Sequence, residues 1–252
     1  MKKLAMIIAA TMVSGSALAN GYSPYYDSYN YSDNRSFIYV TDDSDDNTVY
    51  VKQVSYSTTA KNKSKVKIDD DSNGNDVTVF QFGSKNDSEV DIDNESDWNN
   101  VTVKQFGYDN KSYIEADHSS DGNHVYAEQK GNYNDIDIEI EPYADDNYVT
   151  VKQDGNHNKA EVDIDAGDYN HVYSNTEGNN NEVDVDILGG YADGNYVTIS
   201  QTGDDAKAVA LIDAEGDYTT GNHLTFTQTG NDYSYMEVTN GSSNNYLTNI
   251  QL

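Results

Sequence analysis

The sequence predicts an all-β fold, a two-sheet parallel β-solenoid of about eight stacked strand-arc-strand repeats. Three observations predict it. A phrase of the form Asn-x-Val-x-Val-x-Gln-x-Gly-x-x-Asn recurs about nine times, as in Asn75-Asp-Val-Thr-Val-Phe-Gln81-Phe-Gly83-Ser-Lys-Asn86 and Asn99-Asn-Val-Thr-Val-Lys-Gln105-Phe-Gly107-Tyr-Asp-Asn110. Each copy holds two runs that alternate apolar and polar with period two, the pattern of half-buried strands. Glycine and asparagine keep fixed phases between the runs, where the chain must turn. A unit this short cannot bury its own apolar face, so copies must stack on one another.

In chain order, residues 1–19 read as a signal peptide. Lys2 and Lys3 form a basic start, Leu4 to Val13 an apolar middle, and Ala17-Leu18-Ala19 a cleavage site before Asn20. The apolar run is too short to span a bilayer, and no later segment is apolar enough to do so. Residues 20–33 form an N-terminal segment outside the repeat. The repeat domain runs over 34–252 and opens on a half-copy, Asn34 followed by Ile38 and Val40.

The opening Asn recurs at 47, 75, 99, 123, 147, 170, 195, 222 and 245, spaced mostly 23 to 25 residues apart. The inward column of the first run is Val49, Val77, Val101, Val125, Val149, Val172, Val197, Leu224 and Leu247. Gln53, Gln81, Gln105, Gln129, Gln153, Gln201, Gln228 and Gln251 continue that face, with Thr176 as the exception. Gly83, Gly107, Gly131, Gly155, Gly178, Gly203 and Gly230 mark an arc that calls for positive φ. Asn62, Asn86, Asn110, Asn134, Asn158 and Asn181 close it. The second run turns Val90/Ile92, Ile114/Ala116, Ile138/Ile140, Val162/Ile164 and Val185/Ile187 inward.

Amides at buried phases need a reason. Without partners each costs about 1–3 kcal/mol. Stacked on an identical amide, each gives and receives a hydrogen bond along the column, so the Gln and Asn columns read as stacking ladders.

The formal charge is −29, and loss of residues 1–19 removes two lysines and no acid, leaving −31. Such a charge argues against nucleic acid and anionic lipid as partners. Cysteine is absent, which excludes disulfides and thiolate chemistry. Acids occupy two outward columns of the second run: Asp91, Glu115, Glu139, Asp163 and Asp186, and Asp69, Asp93, Asp117, Glu141, Asp165 and Asp213. They read either as a solvated face or as columns through which cations or acid control assembly. After the opening Asn stand His124, Tyr148, His171, Tyr196, His223 and Tyr246 in alternation. The histidines fall two layers apart, too far to share a metal ion, so an exposed aromatic column is expected.

The arc resembles that of the curlin family, the subunits of bacterial curli amyloid fibres. Curlin repeats carry Gln-x-Gly-x-x-Asn, as do Gln81-Phe-Gly83-Ser-Lys-Asn86, Gln105-Phe-Gly107-Tyr-Asp-Asn110, Gln129-Lys-Gly131-Asn-Tyr-Asn134 and Gln153-Asp-Gly155-Asn-His-Asn158. The resemblance covers roughly 34–252. It implies a homopolymeric fibre, export through the periplasm and an outer-membrane pore, a nucleating subunit as partner, and roles in adhesion and biofilm matrix at the cell surface. Residues 20–33 take the place of the pore-targeting segment. The chain departs from the pattern where curlin has a second Gln: Ile68, Ile92, Ala116, Ile140, Ile164, Ile187 and Ile212 stand there. Ala206 and Tyr233 also replace the arc Asn.

Rival classes find less support. No convergent set of unlike residues suggests catalysis, so no catalytic, cofactor or metal residues are assigned and an enzyme is not expected. The calcium β-roll phrase Gly-Gly-x-Gly-x-Asp is absent, and Thr78, Thr102, Thr150, Thr198, Thr225 and Thr248 make only one interrupted column for a flat ice-binding face. A fibre subunit of the major type is the favoured reading, with a minor nucleator or a soluble ion- or ice-binding solenoid as alternatives.

Overall fold

The computed structural model describes residues 7–13, 18–19 and 34–252, apart from 56, 58, 59, 141, 214–217 and 240. Lys2, Lys3, Ala17, the 20–33 segment and Glu141 therefore lie outside the described residues. No helix occurs among the described residues.

Two parallel walls face each other across a thin core. The first wall stacks β1 (Ile7–Val13), β4 (Thr48–Val54), β6 (Asp76–Ser84), β8 (Asn100–Tyr108), β10 (His124–Asn132), β12 (Tyr148–Asn156), β14 (His171–Glu177), β15 (Tyr196–Thr202), β17 (His223–Thr229) and β19 (Tyr246–Gln251), in that order. The second stacks β2 (Leu18–Ala19), β3 (Arg35–Val40), β5 (Lys63–Ile68), β7 (Asp87–Ile92), β9 (Lys111–Ala116), β11 (Asp135–Ile136) and β13 (Lys159–Ala160). It continues through isolated bridges at Glu182 to the pair β16 (Lys207–Ala208) and β18 (Tyr233–Ser234).

From residue 34 onward the column has nine layers, each a second-wall rung joined by the looser turn to a first-wall rung. The two half-copies supply one rung each, which brings the expected eight to nine. Register is exact along the first wall: Val77 lies over Val49 and under Val101, and Gln81 between Gln53 and Gln105.

The alternation in sequence becomes alternation in burial because successive strand side chains leave opposite faces. The Val, Ile and Leu of both walls are nearly all fully buried, from Val49 and Ile68 through Ile199 and Phe226. Outward, the second wall opens each rung with alternating charge: Lys63, Asp87, Lys111, Asp135, Lys159, Glu182 and Lys207 succeed one another in register. Lys63 meets Asp87 at 3.2 Å, and Lys207 meets Glu182 at 2.8 Å.

The second wall departs from the expected uniform strand beyond layer four. Rungs there shrink to two strand residues, and Glu139, Asp163, Asp186 and Leu211, at one phase of four successive layers, take positive φ. Stacked carboxylates at rung spacing repel by ~1 kcal/mol even in water, which favours leaving the strand geometry. Stacking then copies the bend into the next rung, including Leu211, which carries no charge. Ile138, Ile140, Val162, Ile164, Val185 and Ile187 nevertheless stay buried, as the alternation requires.

Candidate functional site

The repeated side chains form continuous hydrogen-bonded columns with a direction. Gln53 Nε2 donates to Gln81 Oε1 at 2.6 Å, Gln81 to Gln105 at 2.8 Å, Gln105 to Gln129 at 3.0 Å and Gln129 to Gln153 at 3.2 Å. Gln201 donates to Gln228 at 3.0 Å and Gln228 to Gln251 at 3.2 Å. The second N–H of each amide crosses the core to a second-wall carbonyl, from Arg35 at 2.8 Å for Gln53 to Tyr233 at 3.1 Å for Gln251. In Gln53, Gln81, Gln105, Gln129, Gln201 and Gln228 both protons are thereby used, which is how a glutamine buried to 0–1 % exposure avoids its desolvation cost. Thr176 interrupts the column: its Oγ1 donates to Gln201 Oε1 at 3.2 Å, but nothing links it to Gln153.

The arc columns come together as well. Each arc Asn is buried, and its Oδ1 accepts the backbone N–H of the next arc residue, from Asn86 onto Asn62 at 3.1 Å to Asn181 onto Asn158 at 3.0 Å. Each Nδ2 ties down an arc glycine carbonyl: Asn86 that of Gly107, Asn134 that of Gly155, Asn181 that of Gly203. The seven arc glycines have φ from +99° to +135°. A Cβ on Gly131 would stand 1.8 Å from the Gly155 oxygen, so the phase excludes every other residue twice over, by conformation and by space.

One assignment is corrected. The last arc is a residue shorter, and Asp232 takes the arc Asn position while Tyr233 already begins the rung. Tyr233 pairs with Lys207, and the Lys207 N–H reaches the Asp232 carbonyl at 2.8 Å.

Other columns were not read as ladders from sequence. The opening Asn form one from Asn47 to Asn245: Asn75 N–H donates to Asn47 Oδ1 at 2.7 Å and Asn245 N–H to Asn222 Oδ1 at 3.0 Å. In the looser turn Asp97, Asp121, Asp145, Asp168 and Asp193 each accept a backbone N–H from the layer before. Burial raises the Asp121 and Asp168 carboxyls above their ordinary value, and these bonds offset only part of the rise. The signal was present as an Asp two residues before six of the nine opening Asn, but it was hidden among many exposed acids.

Charge on the outward second wall is uneven. Lys67 bridges Asp69 at 2.8 Å and Asp93 at 2.5 Å, and Lys65 bridges Glu89 at 2.6 Å. Burial pulls the Lys67 ammonium down, but its bonds to Asp69 and Asp93 outweigh that and hold it above its ordinary range. Asp69, Asp70 and Asp93 place ligand atoms within 4.8 Å of one another, yet the Lys67 ammonium already occupies their midst. Burial, with the hydrogen bond to Asp93, pushes Asp69 up to about 6. In the kinked rungs burial and the neighbouring Asp184 push Asp186 up to about 7.

The alternating rings do stack on the outer face. His124, Tyr148, His171, Tyr196, His223 and Tyr246 follow one another at centroid distances of 4.6–5.0 Å, the last four contacts within 5–11° of parallel. Burial in the column lowers the His171 pKa.

Uniform columns, in place of a cleft with convergent unlike groups, define the class: a parallel β-solenoid repeat protein whose conspicuous feature is its stacking surface. No family model, no curated protein and no solved structure matches the chain.

Proposed function

We propose that the chain is a secreted structural subunit that polymerises by rung-on-rung stacking into curli-like amyloid fibres, serving adhesion and biofilm matrix at the cell surface. One observation carries this reading. The ladders are directional and repeat from layer to layer with few exceptions, Thr176 among them, and β19 is the edge strand of the described first wall, its inward Leu247 and Gln251 still half-exposed. An uncovered edge of this kind recruits further strand. Export through a dedicated pore and a separate nucleating subunit belong to the same reading, which rests on the Gln-x-Gly-x-x-Asn arcs.

Incubating the chain freed of residues 1–19 and recording fibre diffraction tests it. Reflections near 4.8 Å along the fibre and near 10 Å across it, with amyloid-dye binding, are expected. A chain that stays monomeric at high concentration and binds no dye overturns it.

A further inference from the structure

The Gln ladder has an empty place at its beginning. Gln53 is fully buried, and its Nε2 is used twice, but its Oε1 has no partner among the described residues. Gln81, Gln105, Gln129, Gln153, Gln228 and Gln251 each receive a donor at that oxygen from the layer before. At the other end Gln251 Nε2 makes one bond, to the Tyr233 carbonyl, where every glutamine below it except Gln153, which faces Thr176, makes at least two. One end lacks a donor and the other has one to spare.

The rung now lying on Gln53 cannot fill the place. β1 pairs with β4 so that Met12 stands at the register position of Gln53, and methionine carries no N–H to give. β2 lies against Phe37 and Ile38 of β3. Both covering strands fall inside residues 1–19, so cleavage after Ala19 would strip this end of the column and nothing else.

Register favours one replacement, the last rung of another copy. Charge does not select it: the first layer, residues 34–54, holds Arg35 and Lys52 against four Asp, and the lysine excess lies one layer on, at Lys61, Lys63, Lys65 and Lys67. Setting β19 on β4 in the register of the other rungs places Leu247 over Val49 and Gln251 Nε2 on Gln53 Oε1. It also sets Asn47 N–H on Asn245 Oδ1, and Tyr233 over Arg35.

We propose that the layer formed by β3 and β4 is the docking surface for the C-terminal layer of a second copy of this chain, and that the strands 7–13 and 18–19 occupy it until they are removed. This rests on the reading of the chain as a polymerising subunit.

A full-length chain with a specific protease site placed after Ala19 provides the test, its assembly followed by light scattering and electron microscopy before and after cutting. The uncut chain is expected to lag at least about tenfold behind the cut one. Equal rates overturn the occupancy by β1 and β2.

The junction is tested in the cut chain by a double-mutant cycle with Gln53→Val and Gln251→Val. Each single change leaves an unpaired amide at every junction and should raise the critical concentration about tenfold, and the double should return to within about threefold of the parent. The two sites lie at opposite ends of one molecule, so their effects on monomer unfolding should add. Fibres that form with additive effects of the two changes overturn the docking register and leave polymerisation standing. No fibres from the cut parent chain overturn polymerisation itself.

Discussion

A methyl group at Gly131 would meet the Gly155 carbonyl oxygen at 1.8 Å in a backbone held at φ +113°. Gly131→Ala should therefore cost ~3 kcal/mol or more of unfolding free energy in a denaturant titration, from strain and displaced stacking together. Gly230, at φ +99° with nothing within 4 Å of its Cβ position, should lose only about 1–2 kcal/mol as alanine, the conformational part alone. Equal losses at the two sites would mean that contact with the next rung contributes nothing. Glycines, glutamines and arc asparagines were legible in the sequence because each solves a problem only its residue type solves. Lys85, Asp109, Tyr133, His157, Asn180 and Asp205 were not: each stands at the left-handed corner before the arc Asn or its replacement with φ near +60°, and no composition marks the place. The cost of an L-residue there is small enough for stacking to override.

β14 is the weak element. Ser174 stands where neighbouring rungs have Val151 and Ile199, with its Oγ buried and unpaired, and Thr176 breaks the amide column. Thr176→Gln keeps a donor for Gln201 and adds the missing acceptor for Gln153, and should stabilise the chain by about 1 kcal/mol in thermal or denaturant unfolding. A loss of stability would show that the layer has no room for the longer side chain. The kinked rungs of the second wall predict a pH dependence. Asp186 binds its proton more tightly folded, up to about 7, than the ordinary carboxyl range near 3.8. Its contribution is complete below about pH 4 and is lost as pH rises through 7. Discounted for solvent, this corresponds to a fall in Tm of roughly 2–4 °C between pH 5 and pH 8, absent in Asp186→Asn. The strand content of these rungs was overestimated from sequence. Period-two alternation reports which side a residue faces, and Ile140, Ile164 and Ile187 face inward through left-handed backbone as well as they would through a strand.

For the whole molecule, like charge opposes the compact state, at −29 over 252 residues. Raising ionic strength from 10 mM to 150 mM shortens the screening length from ~30 Å to ~8 Å and should raise Tm by several degrees. A flat salt response would mean that the lysine bridges of the second and third layers already neutralise what matters. The nine-layer stack itself was legible almost entirely, because repetition at fixed phase leaves one arrangement that buries every copy. The two ends were not, since a repeat describes its own interior and is silent about where it stops. The alternation of Lys63, Asp87, Lys111, Asp135, Lys159, Glu182 and Lys207 bears on how so uniform a chain finds its own place. Near-identical coils invite the chain to skip one while winding. A single omission would set Lys63 against Lys111 or Asp87 against Asp135, so the winding carries a parity check that rejects the most accessible miscount.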